Sequence, residues 1–239
     1  MLLSTPGLVL HTTPYAETSV VAKVFTRQLG LRSYIIKSVR GPRGRVKQNL
    51  LQPLSALDMV VYDNPKTDLN HVKEITPRHV STCHPLNLST ENALRFFMTE
   101  VLYKSLREAE PMPDLFDYVE SVFALNTEHL TLNTIHLPVI FLLTVARHLG
   151  IEPLDNHSSR EPFFDLQEGC FVSVPSETTL SPALSEMLHE YLSNFNRQLS
   201  VFSLSERRAL IDALIAYYQL HLSGFSHFHS HEILHTILK

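Results

Sequence analysis

The sequence has no tryptophan, two cysteines and seven glycines in 239 residues. Cys83 and Cys170 cannot build a four-thiolate zinc site, and one distant pair is no disulfide framework, so a cross-linked secreted scaffold is excluded. Met1 to Leu10 has neither the basic start nor the cleavage site of a signal peptide. The longest apolar stretch, Ile135 to Ala146, contains His136 and Pro138 and falls short of the roughly 20 residues a membrane span needs. These absences predict a cytoplasmic protein with no membrane partner. Catalytic signatures are missing too. Neither G-x-S-x-G nor G-x-x-x-x-G-K-S/T occurs, and Cys83 beside His84 is adjacency in sequence, not a catalytic pair. No cofactor is expected.

What is present is an apolar fraction of 44%, enough for a folded core, and an uneven charge. The chain as a whole carries −4, but residues 1–80 hold eleven Lys or Arg against five acids, a net +6, leaving −10 for the remainder. Between Glu17 and Asp58 there is no acid and there are eight cations. Such a run is either a solvated basic face or the footprint of a polyanion partner.

The basic segment reads as β structure. Gly7 to Thr12, Ser19 to Thr26, Leu31 to Ser38, Ser55 to Tyr62 and Leu69 to Thr76 are short, rich in β-branched residues and separated by turn signals such as Asp63-Asn64-Pro65. Five such strands with no helix period between them predict a small antiparallel barrel, and the OB-fold is the obvious candidate. Alternation on the second and third strands predicts a face carrying Lys23, Phe25, Arg32 and Tyr34. Cations for phosphates and rings for unstacked bases suit single-stranded nucleic acid, although Phe25 and Tyr34 could equally plug the barrel. Between the third and fourth strands, Arg40-Gly41-Pro42-Arg43-Gly44-Arg45-Val46-Lys47 is a loop with four cations, suited to regularly spaced backbone phosphates and little sequence preference.

The rest of the chain reads as helical. Ser89 or Thr90 caps a helix running to about Glu108, and Pro113 or Asp114 opens a second. Pro138 to Leu149, nearly all apolar and stopped by Gly150, is the candidate central helix. Ser181-Pro182 opens a fourth, Ser203-x-x-Glu206 is a capping box for a long fifth, and His231 to Leu238 is a short last one. Only Pro162 to Val174 interrupts them, as a β-hairpin around Gln167-Glu168-Gly169. The expected architecture is α+β: a five-stranded OB-fold barrel over residues 1–80, then an all-α domain over 81–239 with a small hairpin insertion.

Fourteen histidines include His227, His229 and His231, with His235 one turn further on. His-x-His and an i, i+4 pair are genuine metal-ligand spacings, so a metal-dependent hydrolase is the enzyme alternative. Against it, Glu232 is the only carboxylate nearby in sequence. A protein-interaction scaffold without DNA binding is a third reading, resting on the acidic helical half.

The order of several stretches is recognisable. Leu8 to Ser19 (L-V-L-H-T-T-P-Y-A-E-T-S), Val24 to Gly30 (V-F-T-R-Q-L-G), Lys37 to Arg45 (K-S-V-R-G-P-R-G-R) and Leu51 to Leu54 (L-Q-P-L) resemble the amino-terminal domain of the RecO recombination mediators. Phe163 to Val172 (F-F-D-L-Q-E-G-C-F-V) and the closing helices resemble that family's second half. The resemblance implies a non-enzymatic mediator that binds single- and double-stranded DNA, anneals complementary strands and helps load recombinase onto strands coated by single-strand-binding protein. Its implied partners are a RecR-type protein and the acidic, apolar tail of single-strand-binding protein, and its implied setting is the nucleoid within the cytoplasm. Lys23, Arg32, Lys37, Arg40, Arg43, Arg45 and Lys47 are the implied DNA contacts, and we take Arg27 and Tyr34 with them. Two departures stand out. Only Cys170 remains where some members carry a four-cysteine zinc element, so a metal-free hairpin is expected. Where members carry arginines at the head of the central helix for a partner's terminal carboxylate, this chain has Ile135-His136-Leu137-Pro138, with Arg107 or Arg147 as possible substitutes.

Overall fold

The computed structural model of the chain describes residues 1–37, 39, 48–64, 66–78, 88–124, 130–193, 199–200 and 202–237. The first five strands are β1 (Leu2–Tyr15), β2 (Ser19–Thr26), β3 (Gly30–Ile36), β4 (Ala56–Tyr62) and β5 (Leu69–Pro77), with a short 3-10 turn at Gln48–Leu51. They close into a barrel in the order β1-β2-β3-β5-β4, antiparallel except for the β3–β5 pair. This is the expected OB-fold barrel. Its length rests on β1, which is longer than Gly7 to Thr12. Its first half pairs with β4 from Leu2 opposite Tyr62 to Leu8 opposite Ala56, and its second half pairs with β2 out to Tyr15 opposite Ser19. One strand thus serves two neighbours, with a register shift between Val9 and His11 where it changes direction. Val9, Ala22, Val24, Tyr34, Ile36, Leu57, Met59 and Val61 fill the interior.

The helices are α1 (Leu88–Ser105), α2 (Pro113–Ala124), α3 (Leu130–His148), α4 (Pro182–Ser193), α5 (Leu204–His221) and α6 (Ser230–Ile237), with the hairpin β6 (Phe163–Asp165) and β7 (Cys170–Val172) between α3 and α4. Two compact units result: Met1–Leu86 with Leu106–Leu130, and Asn87–Ser105 with Thr131–Lys239. The barrel unit therefore takes in residues 106–130, which the sequence boundary at 80 had assigned to the helical half. The reason is packing. Leu115, Phe116 and Val119 of α2 are buried, and Phe116 meets Phe25 of β2 with ring centroids 5.6 Å apart. Just before α2, the Ala109 N–H donates to the Leu31 carbonyl at 3.0 Å, so the segment runs alongside β3.

In the helical unit, α3 begins two turns earlier than Pro138 and carries that proline inside it. A proline removes one helical N–H and normally ends a helix, at a cost of roughly 3 kcal/mol. Here Val139, Phe141, Leu142, Leu143, Val145 and Ala146 follow it fully buried, and burial at about 1.5–3 kcal/mol per large side chain outweighs that cost. The capping box of α5 forms as its spacing predicts: Ser203 accepts from the Glu206 N–H while the Glu206 carboxylate accepts from the Ser203 N–H at 2.8 Å. The hairpin is held by Asp165, whose carboxylate accepts from the Ser176 and Thr178 hydroxyls and from the Gln167 and Glu168 N–H groups.

Candidate nucleic-acid interface

The expected basic face is built differently from the way strand alternation suggested. Pairing of β2 with β3 sets Lys23 opposite Ser33, Val24 opposite Arg32 and Ala22 opposite Tyr34. Directly opposed residues share a face, so Arg32 and Tyr34 lie on the inner side with Val24 and Ala22, while Lys23 and Phe25 lie on the outer side. The four residues do not form one surface. Tyr34 is 1% exposed and Phe25 is 0% exposed, so neither ring can stack on a base. Tyr34 fills the barrel, and burial drives its phenol well above the ordinary range. Phe25 is covered by Phe116. Alternation fixes the phase within one strand. The phase between strands is set by the turn at 27–29, which the pattern does not encode.

The cations of β2 and β3 are engaged by acids of the same unit. Lys23 Nζ meets Glu108 at 2.5 Å, and Arg27 makes a two-pronged bond to Asp117 at 2.7 and 2.8 Å. That bond, with its charge, raises the Arg27 guanidinium further and lowers the Asp117 carboxyl. Arg32 stands 3.8 Å from Asp63, both largely buried. Arg78 bridges Asp58 at 2.9 Å and Glu120 at 2.5 Å. Lys37, by contrast, is exposed, and no ion pair to it is found among the described residues. Arg40, Arg43, Arg45 and Lys47 lie outside the described residues. Counted over the whole barrel unit, twelve basic and eleven acidic side chains leave a net of +1 rather than +6.

The helical unit holds a feature that sequence reading missed. Ile135 of α3, Leu204, Arg207, Arg208 and Ile211 of α5, and Leu234 and His235 of α6 line a small groove open to solvent. Its floor is apolar and its cations are adjacent arginines, one of which donates to the His235 carbonyl. The signal available was Arg207-Arg208 between Leu204 and Ile211 at helical spacing, but the facing walls come from residues far along the chain. Neither arginine considered earlier lies there: Arg147 is bonded to Glu152 at 2.7 Å, and Arg107 is exposed in the barrel unit.

The described histidines take several separate places. Among the described residues, no three His, Cys, Asp or Glu side chains are placed to hold one. His227 and His229 are exposed, and His231 and His235 turn toward Asp212 of α5, at 3.9 and 3.6 Å. A carboxylate is therefore close after all, brought by folding from nineteen positions before His231. Glu100 of α1 caps α6 by accepting from the Ser230 N–H at 2.7 Å. Burial works to raise the Glu100 carboxyl, and bonds from Ser230 and His229 outweigh it, so its pKa is lowered.

Family comparison settles what kind of protein carries this barrel. The family model "Recombination protein O N terminal" matches residues 1–80, and "Recombination protein O C terminal" matches residues 90–230. The chain belongs to the RecO family. "DNA repair protein RecO" of Phocaeicola vulgatus is 30% identical over 244 residues, covering 98% of each chain. The proteins of the same name from Flavobacterium johnsoniae and Porphyromonas gingivalis are 30% and 31% identical, each covering 99% of both chains. RecO membership makes this a DNA repair and recombination protein. No helix among the described residues is long and apolar enough to cross a membrane.

Proposed function

We propose that this RecO chain binds single- and double-stranded DNA with little sequence preference, anneals complementary strands and helps load recombinase onto strands coated by single-strand-binding protein. It does so without catalysis, with a RecR-type partner, at the nucleoid in the cytoplasm. One observation carries the reading: five cations, Lys37, Arg40, Arg43, Arg45 and Lys47, fall within eleven residues of an acid-free stretch of the sequence between β3 and β4. Lys23, Arg27 and Arg32 have acidic neighbours within their own unit, so we assign them supporting roles. If four cations of the 40–47 stretch neutralise phosphates of a single strand, log affinity falls against log salt with a contribution of about −3. Fluorescence anisotropy of a labelled oligonucleotide across salt, comparing the native chain with Arg40, Arg43, Arg45 and Lys47 all changed to Glu, tests this. Unchanged affinity and slope remove the stretch from the mechanism.

The groove supports a docking place for the acidic, apolar tail of single-strand-binding protein. Arg207 and Arg208 complement acidic side chains and a terminal carboxylate, while Ile135, Ile211 and Leu234 receive an apolar residue. A labelled peptide with an acidic, apolar carboxy-terminus should bind the native chain and lose at least tenfold in affinity with Arg207→Glu. Equal binding by the two refutes this placement.

A further inference from the structure

With Phe25 and Tyr34 withdrawn into the packing, the barrel must offer a different surface if it is to meet unstacked bases. The pairing registers identify one. Ile35 of β3 lies opposite His71 of β5, His71 lies opposite Tyr62 of β4, and Tyr62 lies opposite Leu2 of β1. Opposed residues share a face, so these four side chains form one row across adjacent strands. The row is on the outside: its strand neighbours Tyr34, Asn70 and Val61 are buried at 1%, 2% and 0% exposure, whereas Tyr62 is 51% and Leu2 49% exposed. His71 is exposed and Ile35 half-buried. From Ile35 to Tyr62 the row spans two strand spacings, about 10 Å. The end of the row is fixed by the Asp63 N–H, which donates to the Met1 carbonyl at 2.8 Å and keeps Leu2 against Tyr62.

We propose that this outer row is where the bases of single-stranded DNA stack, with Tyr62 the principal platform and His71 beside it. The inference rests on the DNA-binding reading given above and names its base-contacting residues. Three properties favour a nucleic-acid strand as occupant. Two flat π faces lie next to each other on a sheet whose rigidity holds them open, and stacking on such faces tolerates any base. Lys37, two residues past Ile35 and on the same side of the strand, is exposed, so a cation for a phosphate lies next to the faces offered to the bases. Two of the nearby acids are partly neutralised, Asp63 by Arg32 at 3.8 Å and Glu74 by Lys73 at 3.4 Å, while Asp68 is exposed. A duplex hides its base faces, so the row discriminates for single strands while the cations serve both forms.

The test uses the full chain and two probes of equal length, a single-stranded oligonucleotide and its duplex, with 2-aminopurine as the stacking reporter. Tyr62→Ala should weaken single-strand affinity by about tenfold or more and reduce the quenching of the reporter. Duplex affinity should stay within about twofold, since Lys37 and the following cations remain. Tyr62→Trp should keep both signals, and Tyr62→Leu, which keeps apolar bulk without a π face, should behave like Ala. If the native chain binds both probes and Tyr62→Ala changes neither affinity nor quenching, the row is not the base platform and the DNA reading survives. Equal losses on both probes also overturn the platform, because stacking cannot weaken a closed duplex. If the native chain binds neither probe, the DNA-binding reading itself falls and takes this inference with it.

Discussion

Gly30→Ala should destabilise the barrel unit by about 3–4 kcal/mol. Gly30 ends the β2–β3 turn at φ +67°, in the left-handed region, where an L side chain costs about 1–2 kcal/mol. A Cβ at this position would also run into the backbone carbonyl of Glu110. Backbone cannot swing aside as a long side chain can, so the 108–110 stretch must withdraw from β3. With it goes the Ala109 N–H bond to the Leu31 carbonyl, about 1 kcal/mol, and part of the Phe116–Phe25 ring contact, about another. Gly150→Ala is the matched control. It has φ +73° with nothing within 4 Å of the added carbon, and should cost the backbone strain alone. Urea titrations followed by far-ultraviolet circular dichroism give the two losses. Hydrogen exchange over residues 106–124 should show faster exchange only in the Gly30 variant. If Gly30→Ala costs no more than Gly150→Ala and leaves that exchange unchanged, residues 106–130 do not pack against the β2–β3 turn and the division into units is wrong.

Ser203→Ala should cost about 1 kcal/mol by removing the cap of α5, visible as a lower urea midpoint, and no shift would show the capping box to be ornamental. Asp165→Asn should cost about 3 kcal/mol, because the carboxylate accepts from two hydroxyls and two N–H groups that an amide cannot all satisfy. Burial works to raise the Asp165 carboxyl and those bonds prevail, so its pKa is lowered. Its contribution is therefore present above the unfolded value near 4 and is lost as pH falls through the folded value, a decline that Asp165→Asn should remove. His136 and His235 have pKa values lowered chiefly by burial, which disfavours their charged form. The unfolded chain then binds more protons just below about pH 6.5, so stability present above that pH drains away as pH falls through the folded values. Changing both histidines to Gln should flatten this part of the stability profile, and an unaltered profile refutes the assignment.

Much of the fold was legible because its signals are local. β2 runs from Ser19 to Thr26 as its β-branched run predicts, Pro182 opens α4, and Ser203 with Glu206 announces α5. What failed was whatever needs a partner to define it. The extent of β1 depends on β4, which draws Leu2 to Pro6 into the sheet despite the proline opposite Asp58. The start of α3 depends on burial strong enough to carry a helix through Pro138. The face of Tyr34 depends on the register with β2. The apolar stripe of α2 was readable, but no stripe says which surface it will cover, and in the fold α2 clusters with the barrel. The candidate site follows the same division. The clustering of cations at 37–47 is a property of the sequence alone, whereas the Arg207 groove and the Tyr62–His71 row exist only after distant segments meet.

The charge of the barrel illustrates why this matters for function. Cut at residue 80, the amino-terminal part carries +6, which suggests attraction spread over the entire domain. Folding adds Glu108, Asp117 and Glu120 to the same unit and sets them against Lys23, Arg27 and Arg78. Exposed pairs of this kind add little stability, typically below about 1 kcal/mol each, so their main consequence is electrostatic. They offset those three cations, whereas Lys37 is exposed and no ion pair to it is found among the described residues. A net of +1 for the unit is thus compatible with strong local attraction, because at physiological salt charges act over only about 8 Å and a phosphate responds to its neighbours rather than to the total. The acids of residues 108–120 engage Lys23, Arg27 and Arg78, while Lys37 stays exposed two residues past Ile35, in the row that also holds His71 and Tyr62. A local cation beside that row is what a single strand passing the barrel would meet.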